Sequence, residues 1–303
     1  MLITMWGKIA DGLYMLGEGL CLVYIVKGKE AAIIGGGMSW IAPRLEEQLA
    51  GIDIALEDIR YLVIPHAHFD HCGAVPYLKR KMPWIKVLAS QAAKNTFAKQ
   101  KVIDYIELAN LVMIERFGLK DQYVKMGLKI DSLPIDQVVD GSSIISLGGG
   151  MDIQFIECPG HSPDTMAAYV PKLKAVFPTD AAPTPQGGID KLSRPSAQYS
   201  YTLYKQSLAK LIEREIEICA FDHFAAVTGP DARQVLINGL KLCDDYSRRI
   251  VGLYKENGDL EKTARVVAHE TLDSFDFGPE DLMMPVARAE VRNILKDAGI
   301  LLG

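Results

Sequence analysis

The spacing of apolar residues changes several times along the chain, and each change marks an element. Residues 19–28 (GLCLVYIVKG) and 29–35 (KEAAIIG) predict two adjacent strands joined at a turn. The Gly35-Gly36-Gly37 run breaks the chain before a helix over 39–49, where Ile41, Leu45 and Leu49 recur at helical spacing. Residues 59–64 (IRYLVI) are almost continuously apolar, as a strand buried on both faces must be. A short helix over 73–81 and a strand over 84–90 follow. From 91 to about 127 the pattern is helical and amphipathic. Strands return over 143–147, 151–158, 165–170 and 173–178, then a helix over 204–214 and another strand within 217–228. From Asp231 the pattern is helical to the end, broken around Asn257-Gly258 and again over 276–279.

Strands followed by helices, twice over, predict an α+β fold: two sheets packed face to face with helices outside, an αββα sandwich. Residues 1–230 would form that sandwich, and 231–303 a helical extension packed on the same domain. No repeat, low-complexity segment or Pro/Gly-rich linker divides the chain.

Composition narrows the partners. The 303 residues are 49% hydrophobic and 23% charged, with a net charge of -5, which weighs against a nucleic acid. Residues 1–20 carry Lys8, Asp11 and Glu18 and do not suit a signal peptide. No apolar run approaches the roughly 18 residues of a membrane span. Five scattered cysteines (Cys21, Cys72, Cys158, Cys219, Cys243) suit reduced thiols better than a disulfide framework. The expectation is a cytoplasmic protein acting on a small molecule, with a homodimer as an option.

The densest chemistry is Pro65-His66-Ala67-His68-Phe69-Asp70-His71-Cys72-Gly73, four potential metal ligands directly after a buried strand. In an extended segment residues i and i+2 share a face, so His66 and His68 can grip one ion together. Asp70 and His71 lie further along the loop and suit a second ion beside the first. Imidazole with carboxylate fits zinc, iron or manganese, and without thiolates a closed structural zinc site is a poor match. Three more candidates sit at strand ends: His161 after Pro159-Gly160, Asp180 where a bridging ligand could sit, and His223 between Asp222 and Phe224. Each alone reads as an ordinary core residue; beside the cluster they read as ligands. His269, in a C-terminal helix, reads as surface.

These residues, in this order and spacing, resemble the metallo-β-lactamase superfamily, and within it the dinuclear glyoxalase II-type hydrolases, over about residues 10–230. The helical insertion after Ser90 and the helical C-terminus resemble most the quinolone-signal response thioesterase branch. The resemblance implies that metal 1 takes His66, His68 and His161, metal 2 takes Asp70, His71 and His223, and Asp180 bridges them. Asp70 and Asp180 are then the candidate catalytic carboxylates. Four positions depart from the family pattern: Pro65 replaces Ser or Thr, Gly35 a supporting Asp, Thr179 the Gly before the bridging Asp, and Phe224 a Gly after the last histidine.

Two divalent transition-metal ions about 3.5–4 Å apart would share a water and lower its pKa towards neutrality. The expected activity is a hydrolase using metal-bound hydroxide on a thioester, ester or lactone. The alternatives are a phosphodiesterase, a mononuclear iron oxygenase of the persulfide-dioxygenase type, or an interaction protein that retains the site. Cys72 and Cys158 lie near the ligands but read as packing residues rather than nucleophiles. The pocket wall is expected from Phe69, Phe224, residues 181–196 and Tyr199, Tyr201 or Tyr204. Residues 231–303 follow the last candidate ligand and are expected not to be needed for metal binding; Met283, Met284 and Arg288 could cap the pocket.

Overall fold

The computed structural model describes residues 1–274 and 280–300. Its first half contains β1 (Leu2–Ile3), β2 (Gly7–Ala10), β3 (Leu13–Glu18), β4 (Cys21–Lys27), β5 (Ala31–Ile34), α1 (Ala42–Gly51), β6 (Ile59–Val63), α2 (Val75–Lys81), β7 (Lys86–Ala89), α3 (Gln91–Phe97), α4 (Gln100–Arg116), α5 (Lys120–Met126) and β8 (Gln137–Val138). Then come β9 (Ile144–Ser146), β10 (Asp152–Glu157), β11 (Met166–Val170), β12 (Ala175–Phe177), β13 (Pro185–Gly188), β14 (Lys191–Leu192), α6 (Tyr201–Ile212), β15 (Ile218–Ala220) and β16 (Ala226–Thr228). The C-terminal helices are α7 (Asp231–Asn257), α8 (Leu260–Ser274) and α9 (Glu280–Asp297).

Side-chain alternation along the strands explains the layers. In β4, Leu22, Tyr24 and Val26 point one way and Cys21, Val23 and Ile25 the other, and all six are buried. A strand of this kind must be covered on both faces. One sheet orders as β2-β3-β4-β5-β6-β7-β8, the other as β1-β16-β15-β12-β11-β10-β9. Leu22, Tyr24, Ile34 and Val63 of the first meet Ile153, Phe155, Phe177 and Ala220 of the second in the central core. Each such fully buried apolar side chain stabilises the fold by about 1.5–3 kcal/mol. Tyr24 also donates its hydroxyl to the carbonyl of Phe221 at 2.5 Å and meets the Phe177 ring edge-on at 5.4 Å, tying the sheets together. The opposite faces bury Val23, Ile25 and Leu62 under α1, α2 and α4, and Ile156, Val176 and Cys219 under α6 to α9. The result is the expected αββα sandwich with added C-terminal helices.

Several boundaries differ from the sequence reading. The pattern over 91–127 divides into three helices, and 217–228 into two strands, β15 and β16, so His223 lies on their connection and not on a strand. The β2–β3 hairpin, turning at Asp11-Gly12, and the β13–β14 hairpin were not anticipated. The break at Asn257-Gly258 is present: Gly258 ends α7 with φ +64° and donates its N–H to the Tyr254 carbonyl at 2.8 Å. The expected break over 276–279 lies outside the described residues. Among the described residues no helix is long and apolar enough to cross a membrane.

Candidate metal centre

Strand direction places the candidates together. β11 runs antiparallel to both β10 and β12, and β12 runs parallel to β15, so β10, β12 and β15 all end on one sheet edge. His161, Asp180 and His223 follow those three ends. The loop after β6 reaches the same edge, where the Met166 N–H donates to the Pro65 carbonyl at 2.9 Å. That loop packs closely on Gly36, where a Cβ would lie 2.5 Å from the His71 carbonyl oxygen. The buried Asp164 carboxylate accepts from the Ala67 N–H at 2.8 Å and fixes the loop between His66 and His68. Gly160 has φ +146°, and a Cβ there would sit 2.3 Å from the Tyr204 Cα, so α6 can press against the turn that carries His161.

All seven candidate residues converge. One group is His66, His68, His161 and Asp180; the other is Asp70, His71, Asp180 and His223; within each, the potential ligand atoms lie within 4.8 Å of one another. Asp180 belongs to both, with Oδ2 3.1 Å from His161 Nε2 and 3.3 Å from His71 Nε2, and Oδ1 3.4 Å from His223 Nε2.

The tautomers follow from what lies behind each ring. The His161 Nδ1–H donates to the Ser196 carbonyl at 2.6 Å, and the His223 Nδ1–H to the Leu20 carbonyl. His71 Nδ1–H donates to Asp222 Oδ2 at 2.9 Å, and the Thr179 hydroxyl donates to the same oxygen at 2.9 Å. With its hydrogen committed to Asp222, Thr179 Oγ1 faces His66 Nδ1 as an acceptor at 3.4 Å. Each of these four rings therefore turns Nε2 inward, where His66 Nε2 and His71 Nε2 are buried with no hydrogen-bond partner. Against burial, the Asp70 and Asp180 carboxylates raise the pKa of His71 and His223, drawing a proton to the place a cation would take. Inward-facing imidazole nitrogens and carboxylates need positive charge between them, as protons or as cations, so the donor set fits bound divalent metal.

Charge at the centre points the same way. Burial works to raise the carboxyl pKa of Asp70 and Asp180, but the surrounding imidazoles outweigh it, holding Asp70 at about 2 and Asp180 well below the usual range. Burial and the neighbouring imidazoles push His66 well down. Burial also pushes the thiols of Cys21 and Cys158 up to about 12 and that of Cys72 higher, which leaves no thiolate nucleophile among them.

Two of the three non-glycine residues with positive φ among the described residues flank candidate ligands: Thr179 at +49° and Phe224 at +64°. These are the positions where the resemblance expects glycine, so this chain holds the same backbone with bulkier residues. Gly35, where a supporting aspartate was expected, presents no carboxylate; Asp222, from the opposite sheet, supplies one to His71 instead. The sequence reading missed Asp222, Asp164 and the role of Thr179. Asp222 adjoins candidate His223, Asp164 follows candidate His161 by three positions, and Thr179 precedes Asp180.

Above the centre lies a cavity of about 390 Å³, walled by Phe69 and Phe224, by Val102, Tyr105 and Ile106 of α4, and by Met283, Pro285 and Val286 of α9. Ala182, Thr184, Ser193, Arg194 and Ser196 line it as expected for 181–196. Of the three tyrosines only Tyr204 lines it; Tyr201 is buried against α7, donating to the Cys243 carbonyl at 2.5 Å, and Tyr199 is exposed. Arg288 instead pairs with Glu261 at 2.6 Å on the surface, and His269 is half-exposed beside Glu280.

An αββα sandwich with a histidine–aspartate cluster at one edge of both sheets defines a class of metal-binding proteins built on this fold. The family model of the metallo-beta-lactamase superfamily matches residues 16–223, and the chain belongs to that superfamily. It is 26% identical over 184 residues to hydroxyacylglutathione hydrolase GloC of Haemophilus influenzae, covering 61% of this chain and 74% of GloC. It is also 26% identical over 130 residues to the probable metallo-hydrolase YqgX of Bacillus subtilis, covering 43% of this chain but only 52% of YqgX. A metallo-beta-lactamase family protein of Thermus thermophilus has the same fold, with TM-score 0.68 at 14% identity over 96% of this chain and 95% of that one. The rubredoxin oxygen:oxidoreductase of Desulfovibrio gigas shares the fold too, with TM-score 0.56 at 17% identity over 84% of this chain and 70% of that one.

Proposed function

We propose that the chain is a metal-dependent hydrolase that cleaves a thioester, ester or lactone whose acyl portion is apolar. The observation that carries this reading is the pair of ligand groups sharing Asp180, with buried, unpartnered Nε2 atoms aimed between them. His66, His68 and His161 would hold one divalent cation, Asp70, His71 and His223 the other, and Asp180 both. Such a pair, zinc or iron in first place, supplies an acidified water and an electrophile for the substrate carbonyl.

The chain's own residues do the rest. Asp222, Thr179 and the carbonyls of Leu20 and Ser196 keep the four rings in one tautomer, so the centre is oriented before substrate arrives. Asp70 and Asp180 remain ionised at neutral pH and carry the negative charge that balances the cations. The α4 and α9 side chains give the cavity an apolar wall that excludes water from the acyl group. Arg194, a cationic residue on that wall, is paired with the buried Glu290, which favours an uncharged acyl group over an anionic one. Both ligand groups being assembled favours hydrolysis over a mononuclear oxygenase.

The test is hydrolysis of an ester, thioester and lactone panel by the metal-replete full chain, before and after chelation, with Asp180→Ala as control. Turnover of at least one class, lost on chelation, restored by metal and absent in the variant, is expected. No turnover of any class, or turnover indifferent to chelation, would contradict the proposal.

A further inference from the structure

We infer that helix α9 fixes the orientation of His161 through Glu290 and Ser196, which makes the C-terminal layer part of the metal-binding machinery and Glu290 a positioning residue. The inference rests on reading the cluster as a metal centre. It runs against the expectation that residues after His223 are not needed for metal binding.

The route is short and explicit. The Ser196 carbonyl accepts the His161 Nδ1–H at 2.6 Å, and so decides which ring nitrogen faces the site. Ser196 lies outside any helix or strand, and its position depends on what grips its loop. Its hydroxyl donates to Glu290 Oε1 at 2.8 Å, while the Arg194 guanidinium pairs with Glu290 Oε2. One turn further along α9, Asn293 Nδ2 donates to the Ala197 carbonyl at 3.2 Å. Glu290 and Asn293 are three residues apart and share a helix face, so α9 clamps residues 194–197 from one side. On the other side the Tyr199 and Ser200 N–H groups both donate to the Gly160 carbonyl at 3.0 Å, beside His161 itself. Glu290 is fully buried, and a buried carboxylate is tolerated only when its partners are in place, so the clamp is a fixed arrangement rather than a surface contact.

Apart from His68, whose Nδ1 lies 2.8 Å from His161 Nε2 within the same ligand group, the other rings are held without α9. Thr179 faces His66, Asp222 holds His71, and the Leu20 carbonyl holds His223. Loosening the clamp should therefore weaken one metal site and spare its neighbour. A change acting merely through stability would weaken both.

The experiment is a cobalt(II) titration of the chelator-stripped full chain, followed by visible absorption and by competition with a chromophoric chelator. Wild type, Glu290→Gln, Ser196→Ala and the double variant are compared, with thermal melting of each. The expected result is that one equivalent binds about tenfold more weakly in each single variant. The other should stay within about twofold, and the double variant should be no worse than Glu290→Gln, because both act on one route. Ser196→Ala removes a single oxygen and keeps the test open where Glu290→Gln misfolds. Wild-type affinity for both equivalents in Ser196→Ala, or equal weakening of both, would overturn the inference. Failure of the wild-type chain to bind cobalt would instead overturn the metal reading beneath it.

Discussion

Replacing Asp222 with alanine should damage the second ligand group out of proportion to its distance from any substrate. Asp222 is buried, and one of its oxygens accepts from both His71 Nδ1 and Thr179 Oγ1 at 2.9 Å. Its loss leaves a buried imidazole N–H and a buried hydroxyl without an acceptor and frees His71 to turn its other nitrogen inward. Partners of this kind are worth about 10- to 100-fold in metal affinity, or about 1.4–2.7 kcal/mol. Asp222→Asn keeps an oxygen in place and loses the charge, so it should fall between wild type and alanine. Competition with a chromophoric chelator measures both equivalents, and a thermal melt reports whether the fold survives. Two equivalents held by a folded Asp222→Ala protein at wild-type affinity would refute the reasoning. Asparagine as damaging as alanine would assign the effect to charge alone.

Gly160→Ala should lose His161's position and much of the protein's stability, because the new methyl meets Tyr204 backbone at 2.3 Å; a wild-type melting curve would contradict this. Iodoacetamide at about pH 8, just under the ordinary thiol pKa, should leave Cys21, Cys72 and Cys158 unlabelled in the native chain, since burial holds all three thiols protonated. Mass spectrometry showing labelling that tracks loss of activity would restore a thiol mechanism. Val286→Trp should fill part of the 390 Å³ cavity and lower kcat/KM for long acyl chains about tenfold or more, with short chains and metal content unchanged. Equal kinetics on both chain lengths would remove α9 from the pocket's specificity.

The cluster of candidate ligands was legible because it is local in part and ordered throughout. His66, His68, Asp70 and His71 share one loop, and His161, Asp180 and His223 each follow an apolar strand. The layers were legible because strands such as β4 are apolar on both faces. What escaped depends on distance in the chain. Asp222 meets His71 across 151 positions and Glu290 meets Ser196 across 94, and no periodicity encodes either meeting. Thr179 and Phe224 could be seen as departures from a glycine pattern, but only their positive φ shows why glycine suits those positions. The β2–β3 hairpin was obscured because β2 is short and only partly buried and Gly17 interrupts β3, although Asp11-Gly12 marks its turn.

The account stands on two cations sharing Asp180. Elemental analysis of chain purified without chelator, stripped and then reloaded stepwise while ester or thioester hydrolysis is followed, tests this most directly. Two transition-metal equivalents per chain are predicted, with hydrolysis rising as the second site fills. Saturation at one equivalent with full activity would contradict the shared centre.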